Sequence, residues 1–472
     1  MKSWLLRAEA PRPSRIRESP HAAWFIVATV CIGAFMGQLD ASIVTVALPS
    51  LQRAFGTTLA GVEWVALAYL IVLVALVAPI GRLADMAGRK LLYLLGFALF
   101  VIGSALCALA PALLALDAAR VCQAIGAAML QANSVALIAH AVPRTQLARA
   151  LGVQAAAQAV GLALGPSVGG VLLQIGDWRT IFWINVPIGI VALALGWLLL
   201  PRSRDLQDAQ PFDWVGTALF LPAVACTLGA LSFAGEMHIG SRGAVALLAA
   251  GAPVFAIAFV AWEQRARYPV VDLALLRDRT FSLGLIAALL AYATTFGTLF
   301  IVPFFLARAL DIGPGVAGLQ LTALPVALGV TAPLAGALAY RFGLRRLTTA
   351  GMVLAAVGLV VLIAGRDATV LRVVALAVIG AGLGAFTPAN NAAIMGAAPL
   401  QRSGSAGGVL NLTRGLGTSL GVALCGSIYA FVQLRAPQST PDDGFVATVT
   451  ALAVLALLAA LAASARSERR TA

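Results

Sequence analysis

The sequence predicts an all-α polytopic membrane protein of fourteen membrane-crossing helices, arranged as two six-helix halves separated by a two-helix insertion. Three observations predict it. Apolar residues make up 61% of the chain and charged ones only 11%, too few charges to coat a water-soluble domain. Apolar runs of about 18 to 28 residues recur from end to end, each enough to cross a hydrocarbon core of about 30 Å at about 1.5 Å per residue. Two patterns also return at one offset. GRLADMAGRK at 81–90 returns as GALAYRFGLR at 336–345, and GVQAAAQAVGLALG at 152–165 returns as GVLNLTRGLGTSLG at 408–421. An offset of about 255 residues is six helices plus two, so a pair of facing halves with a central cavity is expected.

Apolar runs read against charged or Gly/Pro breaks place the first six spans near 22–48, 61–80, 91–109, 113–138, 150–175 and 181–200. The insertion follows near 214–234 and 244–262. The last six lie near 281–307, 316–340, 347–364, 373–395, 406–432 and 445–463. In domain terms this is 1–201, 202–279 and 280–472. The segment before the first span holds Lys2, Arg7, Arg12, Arg15 and Arg17, and the run that opens at Ala22 is too long for a signal-peptide core. It reads as a retained span.

The net charge of +13 is spread along the chain and does not form the single patch a nucleic acid would need. With both termini on one side, that side collects Arg82, Arg89, Lys90, Arg144, Arg149, Arg345 and Arg346, while the other keeps fewer cations such as Arg53, Arg179 and Arg242. Positive loops mark the cytoplasmic face. The termini are therefore expected in the cytoplasm, and the protein in the plasma (inner) membrane of a bacterium. Partners expected are the lipid bilayer and a small-molecule substrate, with no nucleic acid, and a monomer suffices. The cysteines Cys31, Cys107, Cys122, Cys226 and Cys425 all fall within apolar runs and read as small hydrophobes, not as a disulfide or zinc framework. Scattered His21, His140 and His238 make no metal site. No GxxxxGK[ST] loop is present for an ATP-driven pump, and no nucleophile and base share a depth for an intramembrane enzyme. A channel or passive facilitator stays open.

The loop after the second span carries Gly81, Asp85, Gly88 and Arg89; its glycines allow a tight turn, and Asp85 suits a helix cap or a pair with Arg82 or Arg89. In the second copy Tyr340 stands in place of the acid. Gly161, Gly165, Pro166, Gly169 and Gly170 form GxxxGPxxGG in the fifth span, where small residues let helices approach closely and the proline bends the helix. Ionisable groups inside spans are costly and face a cavity or a partner. Asp40, Arg120 and Arg414 stand out, and Asp40 reads as the only acid well inside a span. Depth counting puts Asp40 and Arg120 level, so they are expected to meet, either as a fixed ion pair or as a site where a proton or cationic substrate loads. Arg414 is either a cavity charge or a packing partner for carbonyls. Glu63, near the end of the second helix, is expected to be solvated, or to act as a vestibule acid. Trp64, Tyr69, Trp183, Phe296 and Phe300 are candidates to line a cavity for flat apolar molecules. The insertion helices hold no internal charge and read as peripheral.

The 81–90 loop resembles the signature loop of the major facilitator superfamily. LDASIVTVALP at 39–49, WVALAYL at 64–70, DWRTIFWINVPIG at 177–189, FDWVG at 212–216, and the stretch from Trp262 and Glu263 through Pro269 to Phe281 resemble its fourteen-span drug/proton antiporter family. The likeness covers nearly the whole chain. It implies a major facilitator fold and a transporter with no catalytic residues, no metal and no cofactor, powered by the proton gradient. Arg120, Gln123 and Gly126 stand where that family's fourth-helix motif has its arginine, glutamine and glycine. The likeness implies proton coupling at Asp40 and Arg120, a conformational role for the 81–90 loop, and a substrate cavity that includes Gln123. The GxxxGPxxGG run is associated there with exporters. The expected function is proton-coupled efflux of drugs or other lipophilic small molecules; the alternative is a dedicated exporter of one endogenous metabolite, peptide or siderophore.

Overall fold

The computed structural model describes residues 13, 18–19, 21–201, 213–234, 242–266, 273–398, 403–435 and 441–466. Among them no strand occurs. The first half contains α1 (Ala22–Phe55), α2 (Leu59–Ala87), α3 (Arg89–Leu109), α4 (Leu113–Ala141) and α5 (Arg144–Ile175). Its sixth crossing is two consecutive helices, α6 (Thr180–Trp183) and α7 (Asn185–Leu199). The insertion is α8 (Trp214–Ala234) and α9 (Arg242–Glu263), followed by a single 3-10 turn at Leu273–Arg277. The second half contains α10 (Arg279–Arg308), α11 (Pro314–Phe342), α12 (Leu344–Ala364), α13 (Thr369–Ala397), α14 (Ser403–Arg435) and α15 (Pro441–Ser464). Among the described residues, twelve stretches are long and apolar enough to cross a membrane, and two shorter ones, Gly61–Val77 and Trp214–Ala230, occupy the second and seventh expected places. The basic N-terminal segment and the linker around 202–212 lie outside the described residues.

Sequence explains most boundaries. Thr58 caps α2 by accepting the Gly61 N–H at 3.1 Å, and Asp278 caps α10 by accepting from Phe281 at 2.9 Å. Gly88, at φ 108°, turns α2 into α3, and Gly343, at φ 82°, turns α11 into α12. Both sit where an L side chain is strained, so the repeat marks the same step in both halves. Two boundaries depart from expectation. α1 continues through Pro49 and stops only at Gly56, whose φ is 59°. The sixth span is interrupted because Pro187 has no N–H to return to the carbonyl of Trp183.

The halves repeat each other in packing as well as in sequence. α1 packs on α5, α2 on α4, α3 on α4 and α3 on α7; correspondingly α10 packs on α14, α11 on α13, α12 on α13 and α12 on α15. Between halves, α5 meets α11 and α14 meets α2, again as counterparts, and α1 meets α10. α8 lies against both α2 and α14, bracing that seam, while α9 pairs with α8 and presents Leu247, Val254 and Ile257 outward. Large apolar side chains are exposed on nearly every helix, among them Leu114, Ile175, Val330 and Val370. Such a surface needs lipid, not water, around it. The protein is a multi-pass membrane protein.

Call the end of the bundle that carries Gly88 and Gly343 the basic end. At the opposite end the halves are shut. A Cβ on Gly318 of α11 would land on the Pro166 carbonyl of α5, and one on Gly170 would come within 2.5 Å of the Pro314 carbonyl. Toward the basic end the seams loosen. On the α5–α11 seam a Cβ on Gly329 would be 3.9 Å from Ala159. On α14, Gly415 abuts Val74 of α2, yet Gly408, two turns earlier on the same face, meets nothing within 4 Å. The space between the halves therefore opens toward the basic end.

Candidate functional site

Five helices of the first half converge on Asp40, which is fully buried. Arg120 Nη1 donates to Asp40 Oδ2 at 2.7 Å. Gln123 Nε2 and Asn185 Nδ2 each donate to Asp40 Oδ1 at 2.8 Å. The second proton of the Gln123 amide goes to Ser104 Oγ at 2.7 Å, and its oxygen accepts from Arg120 Nη1 at 2.6 Å. Arg120 Nε donates to the Val65 carbonyl at 2.9 Å, and its guanidinium carbon stacks 4.1 Å from the Tyr69 ring centroid. The cluster thus joins α1 (Asp40), α2 (Val65, Tyr69), α3 (Ser104), α4 (Arg120, Gln123) and α7 (Asn185). A buried carboxylate with three donors, one of them a cation, is satisfied as an anion. It also lies close to open space: a Cβ on Gly37, one turn toward the basic end of α1, would meet nothing within 4 Å.

The glycine run of α5 has two faces. A Cβ on Gly161 would come within 2.5 Å of the Phe35 carbonyl, one on Gly165 would overlap Ser42, and one on Gly169 would come within 2.7 Å of Ile43 Cγ1, so this face lays α5 on α1. Pro166 and Gly170 form the other face, against Gly318, Pro314 and Gly315 of α11. Beside them Ser167 Oγ and Thr322 Oγ1 share a hydrogen bond of 2.6 Å. The close packing expected of the motif is present, and part of it closes the two halves on each other.

A family model described as Major Facilitator Superfamily matches residues 30–276 and 284–471. The chain belongs to the major facilitator superfamily. Among curated facilitators, it is 33% identical over 412 residues to the "Riboflavin transporter RibZ" of Clostridioides difficile, covering 86% of this chain and 88% of that one. It is 34% identical over 402 residues to the "Multidrug resistance protein Stp" of Mycobacterium tuberculosis, covering 84% and 74%. Among solved structures, a bacterial homologue of the human lysosomal transporter Spinster aligns with a TM-score of 0.66 over 94% of this chain and 98% of that chain, at 17% identity. That last likeness shows the fold. The superfamily and its structural neighbours are transporters, so this protein is a transporter and not an enzyme.

Within this facilitator, several residues expected at the cavity are packed between helices. Gln123 is fully buried in the Asp40 cluster, and Tyr69 lies under Arg120. Phe300 is fully buried against Phe304 with ring centroids 5.2 Å apart, and Phe296 is buried in the same helix. Trp64 faces α8, where its ring approaches Gly229. These rings fill gaps between helices, which long apolar side chains do wherever neighbours are close enough. Glu63 is not solvated: it is fully buried, its carboxyl filling the space over Gly426 of α14 on the seam between halves. Asp40 is not the only acid inside the bundle, since Asp117, one turn before Arg120, also has a buried oxygen. Gly81 lies near Ala132 and Arg89 begins α3; the side chains of Arg82 and Asp85 lie outside the described residues.

Sequence reasoning missed Asn185, Ser104 and Lys90. Asn185 is a polar residue within an apolar run and two before Pro187, a signal that was available. Lys90 is fully buried and its Nζ donates to the Trp197 and Leu200 carbonyls at 2.9 and 2.7 Å, closing the end of α7. It read as one more charge of a basic loop.

Proposed function

We propose that this transporter exports drugs or other lipophilic small molecules across the bacterial inner membrane in exchange for protons, with Asp40 as the proton-binding group and Arg120 as its counter-ion. The observation that carries the reading is the Asp40 cluster: a sealed carboxylate, held by a cation and two amides from different helices, one turn from open space. Protonating Asp40 removes the anion that Arg120, Gln123 and Asn185 are arranged to face. Those donors then need other acceptors, so proton binding and the relative placement of α1, α4 and α7 depend on each other. The relative described as a multidrug resistance protein and the close glycine packing of α5 support export. Charge placement favours the basic end, with both termini, in the cytoplasm; the open end then faces the compartment from which an exporter loads. No cofactor is needed beyond the gradient, and one chain suffices.

The narrower reading, a dedicated exporter of one endogenous metabolite, peptide or siderophore, draws support from the relative described as a riboflavin transporter. The two readings differ in the breadth of the resistance profile. Both share one test. Purified protein in proteoliposomes should accumulate substrate uphill only when a proton gradient is imposed, and Asp40→Asn, which keeps the shape but cannot change charge, should bind substrate and fail to accumulate it. Uphill accumulation by Asp40→Asn with unchanged pH dependence would make Asp40 a structural residue and place the proton elsewhere.

A further inference from the structure

Arg414 has no role in the packing described so far. It lies near the middle of α14, half-buried, and the one hydrogen bond of its guanidinium among the described residues is a long one, Nη1 to Asn411 Oδ1 at 3.4 Å. Nε is buried without an acceptor. The guanidinium carbon stands 5.6 Å from the Tyr292 ring centroid of α10. Among the described residues no carboxylate pairs with it, unlike Arg120, Arg179 and Arg366, which each face an aspartate. Glu63 packs at Gly426, twelve residues along α14 and so about 18 Å away at about 1.5 Å per residue.

The orientation of α14 tells where this cation points. Gly415 faces α2, Gly417 and Gly421 face α10, and exposed Phe431 marks the lipid side. Gly407, Asn411, Arg414 and Thr418 recur at spacings of four, three and four, so they form one stripe, and it falls between the α2 and α10 contacts, away from Phe431. A Cβ on Gly407 would meet nothing within 4 Å. The polar stripe therefore borders the open space between the halves, on the wall opposite Asp40.

An uncompensated cation inside a bundle is costly unless it meets water or an anion. While the cavity is open, water serves. Closing the halves over a cargo expels that water, and a neutral or cationic cargo then leaves Arg414 without an acceptor. The Asp40–Arg120 pair is neutral in sum and offers nothing to offset it. We propose that Arg414, with Asn411, Thr418 and the ring of Tyr292, forms a recognition subsite for a carboxylate or other anionic oxygen on a flat, otherwise apolar cargo. Tyr292 offers a face for the ring, and the guanidinium offers donors for the oxygen. The inference rests on the reading that the chain exports small molecules, but its test needs no gradient.

The probes are fluorescein and a cationic rhodamine, which share a xanthene ring and carry opposite charge. Fluorescence polarisation with purified full-length protein in detergent, above neutral pH, should show the wild type binding fluorescein about tenfold or more tighter than the rhodamine, as expected for one charge-assisted contact. Arg414→Gln should weaken fluorescein binding about tenfold to hundredfold, leave rhodamine binding within about threefold, and thereby erase the preference. Arg414→Lys should fall between. A wild type that binds the rhodamine as tightly as fluorescein, or binds neither, overturns the proposal. So does an equal loss of both dyes in Arg414→Gln, which would mark Arg414 as a packing residue. Should Arg414→Gln fail to purify, the wild-type preference decides alone. A charge preference without uphill accumulation in proteoliposomes would sink the export reading and leave the subsite standing.

Discussion

Gly165→Ala is the smallest change that tests how closely α5 lies on α1. The new Cβ would sit within 2.6 Å of Ser42 Cβ and 3.0 Å of the Ile43 amide nitrogen, and would overlap the Ser42 hydroxyl. Turning the hydroxyl aside does not help, because Ser42 Cβ itself is in the way. Ser42 is also fully buried, with its hydroxyl near the Gln38, Leu39 and Gly161 carbonyls at 2.9, 3.1 and 3.4 Å. Ordinary carbon contacts near 3.5–4.0 Å require the helices to part by about 1 Å. Overpacking of this kind costs about 1–3 kcal/mol. Ser42→Gly alone is expected to cost about 1 kcal/mol, from helix propensity and lost packing. Combined, the two changes exchange a small and a large residue across the seam. The double variant should therefore be more stable than Gly165→Ala, with a coupling of about 1–2 kcal/mol. Apparent melting in detergent, at one heating rate because unfolding is irreversible, measures the order, and proteoliposome transport should follow it. Gly165→Leu, too large for the exchange to rescue, should insert and not transport. Additive losses in the double variant would refute the contact.

Three further outcomes are expected. A cysteine in place of Arg89 should stay unlabelled by an impermeant thiol reagent in intact cells while one in place of exposed Arg53 is labelled; the reverse pattern overturns the orientation. Gln52→Ala removes the 2.5 Å bond from Arg308 Nη2 that ties α1 to α10 at the shut end, beside a cleft of about 250 Å³ that includes Thr57. A bond to a charged group worth about 1.5–3 kcal/mol implies that labelling of a cysteine at position 57 should speed up at least about tenfold, and an unchanged rate would mean the tie does not hold that end closed. Arg120→Leu should destabilise the protein by about 3–5 kcal/mol by stranding Asp40, whereas Asp40→Leu with Arg120→Leu should cost less than either change alone; equal or additive costs would contradict a sealed pair.

Much of the fold was legible because hydropathy and repeats are local signals. The all-helical bundle, the turn at Gly88 and the close packing of Gly161, Gly165 and Gly169 all follow from residue type and spacing. Depth counting along two antiparallel helices brought Asp40 and Arg120 together. What it left out was lateral position. Counting residues put Glu63 at a helix end and so in water, but its burial depends on α14 presenting Gly426 there. The repeat held that information, since α14 on α2 is the counterpart of α5 on α11. Aromatic side chains show the same limit: periodicity gives the face of a helix, and only the neighbour on that face tells whether it is a cavity wall or a filled gap.

The Asp40 cluster and the glycine seam of α5 share α1. Asp40 and Ser42 are two residues apart, so they point to different sides of the helix. Asp40 faces α4 and α7, and Ser42 faces Gly165 of α5. A glycine seam leaves no soft side chain to absorb a shift of α1, because the backbone of α5 rests on Ser42 and Ile43 directly. The adjoining face of α5, one residue on at Pro166 and Gly170, rests just as directly on α11 of the other half. If Asp40 takes up a proton as proposed, a displacement of α1 of even about 1 Å would have to move α5 or open that seam. The small residues of α5 are thus more than a means of close packing: they make the path from the buried carboxylate to the contact between halves a stiff one. That stiffness explains why bulk added at Gly165 should stop transport in a protein that still inserts.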